Sequence, residues 1–191
     1  MVIIYVYKRY FYSKLFERYM LSVPWRYVNS WNCFACGLCC KGFSVVLNFA
    51  EWMNVVKTYG VDFTSPGINK FYLKHRSDGS CSFLYNYYGK GFCSLQHMKP
   101  LACKLWPFKI LHRPKYGRAR EAEYNYADRK LFIYVDPSCT GLTWGNPTAN
   151  LKTTLTEFVE LALGLRKKQV YSTSRMLSYP QYLKLNKLKA F

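Results

Sequence analysis

The segment Cys33-Phe34-Ala35-Cys36-Gly37-Leu38-Cys39-Cys40 constrains this chain more than any other stretch. Three thiols at two-residue gaps can face one centre only if the backbone turns tightly, and Gly37 supplies a position where no Cβ opposes the bend. Cys40 follows Cys39 directly and points elsewhere, so one short loop offers sulfur in two directions. Cys81, Cys93, Cys103 and Cys139 complete the series. Together the eight are candidate metal ligands.

The alternative, cross-linking, depends on size and compartment. At 191 residues the chain can bury a core without staples, and a hydrophobic fraction of 50% predicts a packed globule. The apolar start Met1 to Tyr7 has Lys8 and Arg9 behind it instead of ahead of it, which is not the order of a secretory signal. No run approaches the roughly 20 apolar residues of a membrane span. The expectation is a cytoplasmic protein with no membrane span, whose thiols are reduced and free for metal. A formal charge of +18 makes nucleic acid a conceivable partner, beside an unidentified protein partner.

Three regions are expected: a basic, aromatic extension over 1–30, a metal-binding domain over 31–170, and a basic tail over 171–191. In the extension, Leu15, Phe16, Tyr19 and Met20 recur at helical spacing until Pro24. Asn48 and Glu51 form a capping-box pattern for a helix closed by Gly60, with Phe49, Trp52, Val56 and Tyr59 on one face over the cysteine loops. Strands are predicted over 44–48, 71–75, 81–85, 108–112 and 131–135. Leu151, Leu155, Phe158, Ala162 and Leu165 predict a long helix ending near Arg166 to Lys168, and the tail carries a second helical pattern. The fold class is α+β, a small cysteine-rich domain with short antiparallel strands and two or three packed helices. Pro100 suits a helix start, which puts Cys103 in the opening turn, where the amide dipoles and Lys104 are expected to lower its pKa.

In order, Cys33-x2-Cys36-Gly37-x-Cys39-Cys40, Cys81-Ser82-Phe83-Leu84, Cys93-x6-Pro100-x2-Cys103 with Pro107, and Cys139-Thr140-Gly141-Leu142 before Gly145 resemble the YkgJ-type CxxCxxCC family. Its members are described as zinc- or iron-chelating, often with an iron-sulfur cluster. The resemblance spans Cys33 to Gly145 and implies that all eight cysteines are ligands. It also implies a link to flagellin lysine N-methylases, and so to S-adenosylmethionine under a methylase reading. The family has Arg where this chain has Lys99 and Lys104, so neither position offers a guanidinium.

Thiolates suit both zinc and iron-sulfur clusters. The eight could form two four-sulfur zinc sites, or four could hold a 4Fe-4S cluster with the others at a second site or as free thiols. Of His75, His97 and His112, His97 is best placed to replace a sulfur. Asp136 could act as acid or base, although Asp136-Pro137 also reads as a turn. No dinucleotide, phosphate-loop or nucleophile-elbow motif occurs. Three functions remain open: a redox-active metal protein, a metal-dependent protein lysine methyltransferase, and a zinc-stabilised nucleic-acid adaptor with Tyr and basic residues interleaved.

Overall fold

A computed structural model describes residues 22–172. The helical patterns expected before Pro24 and in the tail fall almost entirely outside them. Eleven short strands and four α-helices are described, so the α+β expectation holds. The strands are β1 (Val23–Pro24), β2 (Val28–Trp31), β3 (Val46–Leu47), β4 (Thr64–Gly67), β5 (Lys70–Leu73), β6 (Leu84–Tyr87), β7 (Lys90–Cys93), β8 (Phe108–Leu111), β9 (Glu123–Tyr126), β10 (Arg129–Val135) and β11 (Leu142–Trp144). The helices are α1 (Phe49–Tyr59), α2 (Leu101–Leu105), α3 (Ala119–Ala122) and α4 (Ala149–Ala162). Among the described residues, no helix is long and apolar enough to cross a membrane.

All the strand pairings are antiparallel. β10 is the spine of the largest sheet, pairing with β1, β8 and β9. β2 pairs with β11, β5 lies between β3 and β4, and β6 with β7 is a hairpin. Residues 23–30, which the sequence pattern groups with the extension, enter the main body through β1 and through the buried Trp25 and Val28.

Two cores result. In the first, α4 lays Leu151, Leu155, Phe158 and Val159 against Phe108, Leu131, Ile133 and Val135, with Trp31 between them. Phe158 meets Phe108 and Trp31 edge-on, at 4.8 and 5.3 Å between ring centroids. Removing such a ring costs about 3–5 kcal/mol, so this cluster fixes α4 on the sheet. The second core gathers Val45, Leu47, Val55, Leu73, Phe83, Leu84 and Leu95 beneath α1.

The capping box is formed: Asn48 Oδ1 accepts the Glu51 amide at 2.9 Å and Glu51 Oε2 accepts the Asn48 amide at 3.0 Å. Gly60 closes α1 as expected. Of the expected face, Trp52 and Tyr59 pack against the second core, with Trp52 stacked on Phe71 at 4.3 Å, whereas Phe49 is exposed and the fully buried side chain of the helix is Val55. The strand expected over 81–85 begins at Leu84, since Cys81 makes only an isolated bridge with His75.

α4 ends earlier than the charge pattern suggests. Gly164 adopts φ 74 and reverses the chain, leaving Leu165 exposed. Arg166 then folds back to pair with Glu157 and Glu160, each at 2.8 Å. Glu157, though 2% exposed, also accepts the amides of Val170 and Tyr171 at 2.9 and 2.8 Å. A fully engaged carboxylate is tolerable in the interior, and this one ties residues 166–171 across α4.

Candidate metal centre

All eight cysteines are free thiols, and all eight line one cavity of about 260 Å³. They come from five separate stretches of chain, and close backbone contacts explain how they meet. Ala35 and Gly37 take positive φ (55 and 74), which curls residues 33–40 into a turn ending in one 3-10 turn, Leu38–Cys40. The Ala35 carbonyl accepts the Gly91 amide at 2.6 Å, docking this turn on the β6–β7 hairpin. A Cβ on Gly91 would stand 2.9 Å from the Gly37 Cα, so the approach requires glycine there. Cys93 closes the same hairpin opposite Leu84.

The Cys81 amide donates to the Cys40 carbonyl at 2.6 Å, joining two of the cysteine segments directly. Cys103 arrives on α2, whose first amide, Leu101, donates to Glu51 Oε1 at 2.7 Å. The capping carboxylate of α1 thereby fixes α2 as well. On the other side the Asn32 amide donates to the Gly141 carbonyl at 2.9 Å, and a Cβ on Gly141 would collide with the Asn32 carbonyl. That contact sets Cys139 beside Cys33. Thr140 Oγ1 donates to Cys36 Sγ at 3.5 Å.

The thiols fall into two groups. Cys40, Cys81, Cys93 and Cys103 belong to the second core, whereas Cys33 and Cys139 pack on the first. Electrostatics divides them similarly: negative charge on Cys93 or Cys81 acts on Cys40 and Cys103, and charge on Cys36 acts on Cys33 and Cys139. Cys39 stands at the boundary, with its sulfur 4.0 Å from that of Cys40.

Burial pushes the thiols of Cys33 and Cys139 up, Cys93 up to about 11, and Cys103 well above its ordinary value. The expected lowering at Cys103 is therefore wrong. Loss of water outweighs the single turn of α2, and the Lys104 ammonium is turned away, donating to the Lys167 carbonyl at 2.9 Å. Lys99 is the cation that favours thiolate, at Cys33, Cys39, Cys93 and Cys103. Cys39 is lowered to about 7, chiefly by a hydrogen bond from the Cys40 thiol, which is correspondingly held protonated.

Among the described residues, no three His, Cys, Asp or Glu side chains converge as the ligands of one ion would. The sulfurs surround the cavity instead of meeting within it. The donor set still fits a thiophilic metal or cluster. The walls are mostly apolar, Lys99 offsets thiolate charge, and the buried Trp31 indole N–H lacks a formed hydrogen bond while favouring a thiolate at Cys139. None of the three histidines lines the cavity. His75, opposite Cys81 in the isolated bridge, is the one held beside a cysteine, and His97 lies on an exposed turn. Asp136 Oδ1 accepts the Ser138 amide at 3.1 Å and the Ser138 hydroxyl at 2.6 Å, a turn-forming role. Sequence reasoning missed Gln169 and Ser172, which reach the cavity only through the fold-back after Gly164.

A family model named CxxCxxCC, described as a putative zinc- or iron-chelating domain, matches residues 32–140, more than half of the chain. No curated protein and no solved structure matches.

Proposed function

We propose, from the premise that this chain belongs to the CxxCxxCC family of zinc- or iron-chelating domains, that it is a metal protein whose eight cysteines act as two four-thiol sets. Cys40, Cys81, Cys93 and Cys103 form one set. Cys33, Cys36 and Cys139, completed by Cys39, form the other. The observation that carries this reading is the single cavity faced by eight free thiols from five stretches of chain.

Iron-sulfur chemistry is the preferred reading. A cluster holds its cysteines apart at the corners of a larger object, and sulfurs ringing an apolar cavity of about 260 Å³ suit that better than sulfurs closed on one ion. Such a group supplies one-electron transfer when bound. The chain's own residues would ligate it through thiolate sulfur, exclude water with the two cores, and moderate its negative charge with Lys99. One observation favours zinc as a second reading. The eight thiols divide four and four, the number that two closed tetrahedral zinc sites require.

Anaerobic purification with elemental analysis, sulfide assay and an absorbance spectrum tests the reading. Iron with acid-labile sulfide and visible absorbance that bleaches on reduction is expected. Colourless protein with stoichiometric zinc selects the second reading, and protein without either metal overturns both.

A further inference from the structure

No Asp or Glu occurs between Asp78 and Glu121, while Lys and Arg recur throughout. The last part of this stretch, 112–120, leads from β8 to α3 and exposes Arg113, Lys115, Arg118 and Arg120. The turn is anchored from beneath. Tyr116 packs edge-on against the buried Tyr134 at 5.2 Å, and the Tyr134 hydroxyl donates to the Gly117 carbonyl at 2.8 Å. Lys109 below it is engaged by Asp136 at 3.8 Å, but none of the four exposed cations is in an ion pair among the described residues.

Aromatic surface adjoins this charge. Arg118, at φ 47, lies over the Tyr27 ring at 5.4 Å from its centroid. The Gly145 amide donates to the Tyr27 carbonyl at 2.9 Å, so the end of β11 runs beside Tyr27. That end carries Trp144, which is 51% exposed, next to Tyr27 at 37%. Cations that follow phosphates and aromatic faces that stack bases are the two components of a single-strand binding surface. Three of the four cations are Arg, whose flat fork holds phosphate at two points and lies against a base. A lipid surface would instead favour a continuous apolar face, and here the rings stand singly among charges.

We propose that the turn 112–120, together with Tyr27 and Trp144, is a binding surface for single-stranded nucleic acid. The surface requires nothing of the cysteines, so it stands or falls apart from the metal reading.

The test is fluorescence anisotropy of the full, metal-loaded chain with a labelled oligouridine of about 16 nucleotides, over about 50 to 200 mM KCl. Four phosphate contacts give a logarithmic salt slope of about −3, and Arg113→Gln with Lys115→Gln flattens it by about 1.4. Trp144→Ala and Tyr27→Ala each weaken binding about tenfold without changing the slope. Unchanged metal content and circular dichroism identify folded variants, and the exposed Trp144 is the safer of the two aromatic sites. Absence of binding at the lowest salt overturns the proposal. So does binding indifferent to both aromatic substitutions, which is mere attraction to a basic chain. Binding to phosphatidylglycerol vesicles without binding to the oligonucleotide overturns it in favour of a lipid surface.

Discussion

The main-chain amide of Cys81 donates a 2.6 Å hydrogen bond to the carbonyl of Cys40. Two cysteines far apart in sequence are thus joined through backbone, independently of any metal. Backbone contacts draw the cysteine segments together, and on the proposed reading metal would close that arrangement.

That preorganisation makes Gly91 critical. Gly91→Ala puts a methyl group 2.9 Å from the Gly37 Cα, where only backbone can give way. The expected cost is about 1–3 kcal/mol in urea unfolding of the metal-free protein, with reduced metal content after purification. Gly89→Ala is the poorer control because of its positive φ, whereas Gly42→Ala, whose Cβ meets nothing closer than 3.8 Å, should change neither measurement.

Cys36 and Cys81 separate ligation from folding. Cys36 is exposed, so Cys36→Ala should leave metal-free stability unchanged while releasing the metal of the Cys33–Cys139 set. Cys81 is buried in the second core, and Cys81→Ala should lower metal-free stability by about 1 kcal/mol as well as emptying the other set. Thermal melts with and without chelator distinguish the two.

Alkaline pH should destabilise the metal-free protein specifically. Burial raises the Cys93 thiol from 9.0 to about 11. Between those values the folded state keeps a proton that the unfolded chain releases. The stabilisation is therefore complete below about pH 9 and is lost as pH rises through about 11, amounting to about 2–3 kcal/mol. Metal-loaded protein, with its thiols already ionised, should not show this fall. Denaturant titrations across the window measure it.

Glu157 holds the fold-back after α4. Glu157→Ala leaves the amides of Val170 and Tyr171 unpaired and Arg166 with Glu160 alone, and the expected loss is about 3 kcal/mol. Limited proteolysis should then cut within 165–172, exposing the cavity edge lined by Gln169 and Ser172.

The sequence made local features legible where one signal sufficed. Asn48 with Glu51 marks the start of α1, the apolar and aromatic run 131–135 marks β10, and the cysteine series identifies the thiols that share the cavity. Non-local features were hidden. Nothing near Val23 announces that it pairs with Val135, and nothing near Gly37 announces Gly91. Glu157 reads as a surface residue until Arg166 and two amides are seen around it. Cys103 looks activated on its helix start because the pattern shows the dipole and Lys104 but not the burial that overrides them.

X-ray absorption at the metal edge of the native protein tests the central claim most directly. An all-sulfur first shell is expected, at about 2.3 Å if the metal is zinc. A first shell dominated by nitrogen or oxygen would contradict the assignment of the eight cysteines as ligands.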